Sequence, residues 1–228
     1  MNTPTPDARA AMLARLEAAL ADAPRPPKRP AAQAAARPGP PDRDALLAAF
    51  LANLDAAGVT HDTAKTPEEA VACLGAYLRG RKADHAAAWD ADVLAEAAGF
   101  DVHAALYALD LAVTVPAGER PCPGVAQAQV GITAATAALS ATGTVVVTAG
   151  PGRPRSASIV PPAHVALVPQ SRILPDLAAY FATLSPAAGL PSAIHAISGV
   201  SSTGDIEFVY VRGAHGPVAV HVVVLEWR

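Results

Sequence analysis

Three short segments of the chain concentrate small, hydroxyl-bearing and ionisable residues. The densest is Ser198-Gly199-Val200-Ser201-Ser202-Thr203-Gly204-Asp205-Ile206-Glu207. Successive backbone N–H groups in a turn of small residues make a concavity that suits an anion, and the hydroxyls of Ser198, Ser201, Ser202 and Thr203 add donors to it. A helix beginning near Thr203 would add the positive end of its dipole. Asp205 and Glu207 are candidates for acid/base work, metal ligation or capping. On a strand they would share one face; in a cap or turn they would not. The second segment is Gly213-Ala214-His215-Gly216-Pro217. An imidazole titrates near neutrality, so His215 between its glycines suits proton transfer, and Gly216 leaves backbone open beside it. The third runs from Gly143-Thr144 to Gly150-Pro151-Gly152-Arg153-Pro154-Arg155. Arg153 and Arg155 carry forked donors that match a carboxylate or a phosphate. Each segment also has a plain reading, a surface turn whose polar groups meet only water.

The remaining candidates for chemistry are weaker. His164, His195 and His221 stand in or at the head of apolar runs and read as hydrogen-bonded core histidines. No HExxH spacing occurs, and no metal site is expected. Cys73 and Cys122 are the only cysteines. An iron–sulfur cluster usually needs four thiolates, so the chain is expected to carry no cluster or other cofactor of its own. The two thiols read as a reduced pair.

The elements that must position these turns follow from hydrophobic period. Ala8 to Asp22 reads as a helix with Met12, Leu13, Leu16 and Leu20 in one stripe. That stripe calls for a partner, either the domain itself or another copy of the chain, which makes a homo-oligomer possible. A proline-rich segment from Ala23 to Pro41 reads as an extended spacer. Helices are predicted from Asp42 to a stop at Gly58, from Thr66 to about Leu78, and from about Asp90 to Ala98. Thr66-Pro67-Glu68-Glu69 has the cap, the first-turn proline and the acids of a helix start. The period then changes. Leu111–Val115, Ala126–Val130, Thr144–Thr148, Val165–Val168, Ala193–Ile197, Ile206–Val211 and Val218–Leu225 read as strands, Ile206–Tyr210 with a short helix as its alternative, and short helices run from Thr133 to Leu139 and from Pro175 to Leu184. The fold class is α/β: a mainly parallel sheet flanked by helices, with an N-terminal helical extension. Residues 1–41 form the helix and linker and 42–228 the main domain, helical over 42–100 with its core sheet over 101–228. In such sheets ligands bind beyond the carboxyl ends of the strands.

Composition narrows the partners. The chain has 228 residues, 52% hydrophobic and 16% charged, with a formal net charge of −3. That balance argues against nucleic acid. The basic residues between Arg25 and Arg43 read as a solvated arm in the spacer. The start lacks the pattern of a signal peptide, and no run approaches the ~20 apolar residues of a membrane span. A cytoplasmic protein without a membrane partner is expected, acting on or binding a small anionic metabolite.

The order of several motifs resembles one family. Val130-Gly131-Ile132-Thr133, Thr142-Gly143-Thr144, Gly150-Pro151-Gly152-Arg153 and Pro161-Pro162-Ala163-His164 resemble the first half of the LUD domain, the unit of the lactate-utilisation protein C family. Ser198-Gly199, Ser201, Thr203, Asp205-Ile206-Glu207 and Gly213-Ala214-His215-Gly216-Pro217 resemble its second half. The helix around Met12-Leu13-Ala14-Arg15-Leu16 is similar to that family's start. The resemblance implies a fold like that of the sugar-phosphate isomerase and CoA-transferase superfamily. It implies a role in oxidising L-lactate to pyruvate, as an accessory or regulatory partner of proteins that carry the iron–sulfur clusters. It also gathers the three turns into one ligand site. Two positions depart from the family: Ala141 stands where a glutamate is usual, and Ser202 where an arginine is usual. Alanine can neither move a proton nor hold a metal, so the resemblance implies binding rather than catalysis by this chain alone. The alternative is an independent enzyme or binding module for a small phosphorylated or carboxylated metabolite, with His215, Asp205 and Glu207 as its acid/base groups.

Overall fold

A computed structural model describes residues 6–21, 42–116, 122–185, 189–204, 210–213 and 215–228. Contacts divide the chain into Met1–Gly39 and Pro40–Arg228. The first unit contributes α1 (Pro6–Ala21), in which Met12, Leu13, Leu16 and Leu20 are all exposed.

The second unit starts with α2 (Arg43–Ala56), β1 (Thr60–Ala64), α3 (Pro67–Gly80), β2 (His85–Ala88), α4 (Ala91–Ala98), α5 (Val102–Ala108) and β3 (Ala112–Thr114). It continues with α6 (Pro123–Gln127), β4 (Val130–Ala134), β5 (Ala137–Leu139), β6 (Thr144–Ala149), α7 (Ser156–Ile159) and β7 (Ala163–Pro169). A single turn of 3₁₀ helix (Gln170–Arg172) then leads to β8 (Ile173–Leu174), α8 (Leu177–Thr183), β9 (Ala193–Ile197), β10 (Ser202–Gly204), β11 (Tyr210–Arg212) and β12 (Ala219–Leu225).

The helix starts have local causes. Asp42, Thr66, Asp90, Asp101 and Asp176 each accept a hydrogen bond from a backbone N–H of the helix that follows. Such caps satisfy donors the first turn would leave unpaired, each worth about 1 kcal/mol.

Six strands form one wholly parallel sheet in the order β1-β12-β7-β4-β2-β3. Alternation along each strand sorts its side chains onto two faces. Val165, Leu167, Val223 and Leu225 point to one side, where they pack with Leu74, Leu78, Leu94, Val102 and Leu106 of α3, α4 and α5. Ala166, Val168, Val220, Val222 and Val224 point to the other, where they meet Phe50 and Leu54 of α2 and Val145 of β6. That second face is covered in part by a four-stranded sheet in the order β8-β5-β6-β9, mixed in direction. On its far side Tyr180 of α8 packs with Ala137, Leu139 and Val146. The third sheet is the ribbon β10-β11.

The architecture is the α/β arrangement with a mainly parallel sheet and flanking helices that the sequence predicts. Several local readings are corrected. Thr133 to Leu139 is not a helix: it is the end of β4, a turn and β5. Its alanines suit a helix by propensity, but Thr133 lies buried in the sheet with its hydroxyl on His164, and that pairing decides the segment. The stretch read as a strand from Ala126 to Val130 is the end of α6 followed by the start of β4, because Pro123 opens a helical turn. The stretch 42–100 is not purely helical, since β1 and β2 enter the main sheet. β2 is His85-Ala86-Ala87-Ala88, and alanine carries no strand signature. The strand read over Thr144–Thr148 is present as β6, and it belongs to the smaller sheet. Of the strand read over Ile206–Val211, residues 206–209 lie outside the described residues, and β11 begins at Tyr210.

Candidate functional site

Two of the three turns meet at the amino ends of the parallel strands. Ser201 N–H donates to the Pro217 carbonyl at 3.0 Å, and Gly213 N–H donates to the Ser201 carbonyl at 2.8 Å. Val218 N–H donates to the Pro162 carbonyl at 2.9 Å, which fixes the pair of turns beside the entry to β7. Between them lies a cavity of about 280 Å³ lined by Ser158, His164, His195, Ser198, Ser201 and His215, with backbone of Gly199 and Gly216.

His164 is the fixed point of this cavity. It is the second residue of β7 and fully buried. One ring nitrogen, Nε2, shares a hydrogen bond of 2.9 Å with Thr133 Oγ1. The other, Nδ1, is buried without a hydrogen-bond partner among the described residues. Burial pushes its pKa down to about 4, because nothing nearby compensates a buried charge. The ring is therefore neutral at physiological pH, with one nitrogen left for a ligand. His195 on β9 is also shifted down, first by burial and then by the Arg155 guanidinium. His215 is exposed at the turn. Ser158 is buried on α7 and donates its hydroxyl proton to the Arg155 carbonyl at 3.1 Å.

The Gly143-Thr144 turn joins through hydroxyls. Thr144 Oγ1 lies 2.7 Å from Ser198 Oγ and 2.7 Å from Thr142 Oγ1. Ser198 thus sits between the cavity and a groove of about 380 Å³ lined by Leu139, Ala141, Thr142, Thr144 and Asp176. Ala141 opens onto that groove. Gly143 itself is buried against the backbone of Asn53 in α2, a packing position rather than a ligand contact.

The other predicted residues divide. Ser202 and Thr203 open β10, paired in register with Arg212 and Val211, so no helix begins at Thr203 and no dipole adds to the turn. The ribbon wins because backbone pairing with β11 satisfies the donors that a nest would have offered. Asp205 and Glu207 lie outside the described residues. Arg153 is at the opposite end of the sheet, so the three turns do not form one site. Gly152, with φ of +67°, lets the Gly150–Arg153 turn press against Asp90 and Val93, and its carbonyl accepts from Asp90 N–H at 3.0 Å. That contact holds Arg153 beyond the carboxyl ends of the strands. Sequence reasoning missed His164, His195 and Ser158 as cavity residues. The signal it had was Pro161-Pro162 just before His164, which marks a strand entry next to a turn. Among the described residues, no group of three His, Cys, Asp or Glu could hold a metal ion, and no helix is long and apolar enough to cross a membrane. Cys73 and Cys122 are half-buried and unpaired with each other.

The molecule is an α/β domain with a parallel sheet and polar cavities at both ends of its strands. The LUD domain family model matches residues 47–225, and the chain belongs to the LUD domain family. It is similar to "Lactate utilization protein C" of Halalkalibacterium halodurans, 40% identical over 115 residues, 49% of this chain and 50% of that one. The protein of the same description from Bacillus subtilis is 38% identical over 115 residues, 49% of this chain and 48% of that one. "Uncharacterized protein YkgG" of Escherichia coli is 38% identical over 104 residues, 44% and 45% of the two chains. The aligned stretch spans about half the length of these curated relatives. The fold is similar to the crystal structure of a DUF162 family protein from Deinococcus radiodurans, with a TM-score of 0.54 at 18% identity over 82% of this chain and 100% of that one.

Proposed function

We propose that this chain serves lactate utilisation, as an accessory or regulatory partner of iron–sulfur proteins that oxidise L-lactate to pyruvate, and that the amino-end cavity holds a small carboxylate. The observation that carries the reading is the 40% identity to a lactate utilization protein C, with the family model spanning both turns that line the cavity. The chemistry of the cavity agrees with binding. Ser158, Ser198 and Ser201 offer hydroxyl donors, and His164 offers a neutral nitrogen. With Ala141 in the adjoining groove, no carboxylate stands at that position to move a proton. The two electrons released when lactate becomes pyruvate go to the clusters of the partner proteins.

The test is direct. Purified iron–sulfur partner proteins are assayed for lactate-dependent reduction of an electron-acceptor dye, with and without this chain. A rate that rises on addition, and falls back with Ser201→Ala, supports the reading. Equal rates in both assays sink it.

A further inference from the structure

A second ligand site lies at the other end of the sheet. Trp89 follows β2, Thr136 follows β4 and Arg172 follows β7, so all three stand beyond carboxyl ends of parallel strands. With Arg153 they line a chamber of about 420 Å³. A second chamber of about 600 Å³ shares Thr136, Pro151 and Arg153 with the first and reaches Thr148 and Tyr180. The carboxyl ends of such strands are where open α/β sheets place their ligands.

Among the described residues neither Arg153 nor Arg172 has a carboxylate within ion-pair distance. Arg153 reaches only the Thr148 hydroxyl at 3.4 Å, and Arg172 donates to the Ala135 carbonyl at 2.6 Å. Burial is the main cause that pushes the Arg172 pKa down; Glu96 acts the other way, and Arg228 and Arg153 add to the lowering. Arg153 and Arg172 thus share a partly dry cleft without an ion-pair partner for either among the described residues. The second chamber adds an independent sign of a missing partner. Tyr180 is 1% exposed, and its buried hydroxyl has no hydrogen-bond partner among the described residues. Buried hydroxyls are seldom left unpaired. Thr136 and Thr148, whose hydroxyls share a bond of 2.9 Å, line the junction of the chambers.

We infer that this cleft binds a metabolite whose oxyanion group sits between Arg153 and Arg172 and whose uncharged body extends to Tyr180. The oxyanion closes the charge gap of the arginine pair, forked donors matching either a carboxylate or a phosphate. The body supplies a partner to the Tyr180 hydroxyl and covers the apolar wall near Leu184. The two chambers together leave room for a ligand larger than lactate. The inference stands apart from the lactate reading: it involves the other end of the sheet and needs no partner protein.

Trp89 reports on the cleft, and Trp227→Phe leaves it the sole tryptophan in the full-length chain. Its fluorescence is followed during titration with inorganic phosphate, phenyl phosphate, acetate and phenylacetate. Saturable quenching or enhancement is expected, tighter for the ring-bearing member of a pair than for the bare ion. The better pair tells phosphate from carboxylate recognition. Arg153→Gln is expected to weaken binding at least about tenfold, the usual loss when a charged hydrogen-bond donor is removed. Arg172→Lys keeps the charge but loses the fork, and weakens it less, with far-UV circular dichroism unchanged in both variants. No Trp89 response to any of the four up to about 10 mM, or affinities unmoved by Arg153→Gln, overturns the proposal.

Discussion

At the amino ends of β7 and β12 the polar groups are imidazoles and serine hydroxyls; at the carboxyl ends of β2, β4 and β7 they are guanidinium groups beside a tryptophan and two threonines. The contrast follows from how each cation tolerates burial. A histidine can shed its proton and stay inside at little cost, as His164 does with its pKa near 4. An arginine cannot, because its pKa lies too far above any working pH. The amino-end cavity can therefore hold a fully buried, uncharged His164 ring. The arginine end has to stay open to water or be closed by a counter-anion.

The largest effect that tests this difference is acid sensitivity. In the unfolded chain His164 takes up a proton as pH falls below its ordinary 6.5, while the folded ring resists until about 4. The unfolded state thus binds more protons across that window, so folding stability is full above pH 6.5 and declines as pH falls to about 4. One such group costs about 3 kcal/mol over the window. His195 and His221 are shifted in the same direction by burial, with Asp62 pulling His221 back in part. Urea midpoints at pH 7 and pH 4.5 should differ accordingly. His164→Gln keeps a partner for the Thr133 hydroxyl without titrating, and should remove most of the difference. A wild-type midpoint that does not move with pH would show that the ring is not buried neutral.

Next in size is Gly131→Ala. Gly131 pairs in register with His164, and a Cβ added to it would run into the Ala157 carbonyl of α7. The methyl must push α7 off the sheet, at about 2 kcal/mol. Ser158 rides on that turn, so the amino-end cavity should lose its lining while the arginine end keeps its own. Chemical denaturation reads the stability, and the Trp89 titration reads the far end. A variant as stable as wild type would mean that α7 is not seated on the glycine. A changed Trp89 affinity would mean that the two ends are coupled rather than separate.

The sequence carried the large features because they rest on period and caps. Thr66-Pro67-Glu68-Glu69 marks the start of α3, and Gly99 in the left-handed conformation marks the end of α4, as their types require. It missed β2 because alanines are silent about strands, and it misread Thr133–Leu139 because only the distant His164 explains a buried threonine there. The site was legible in its parts but not in its grouping. Ser198, Ser201, His215 and Gly216 do share a cavity. Arg153 was grouped with them by motif order, yet the smaller sheet carries β6 from one end of the main sheet to the other, so Thr144 and Arg153 lie far apart along it. Arg172 and Thr136 gave no local signal, since a 3₁₀ turn and a strand exit look ordinary until the parallel sheet brings them together.

The smallest effect concerns the link from Thr144 to Ser198. Thr144 Oγ1 touches Thr142 and Ser198 at 2.7 Å each, while Thr144 itself is buried at the start of β6. Thr144→Val keeps a β-branched shape in the strand and removes both contacts. Thr142 and Ser198 are exposed and can turn to water, so neither is left stranded, and the cost should be about 1 kcal/mol. The consequence for binding should be greater than that for folding, because Ser198 loses a side-chain hydrogen bond that aims it between the cavity and the Ala141 groove. In the partner-protein assay the variant should lose part of the stimulation by this chain, while Trp89 titrations of the arginine end stay as in wild type. If Thr144→Val instead weakens the Trp89 response and leaves the assay alone, the hydroxyl chain belongs to the arginine end, and the division between an imidazole-and-hydroxyl end and an arginine end is wrong.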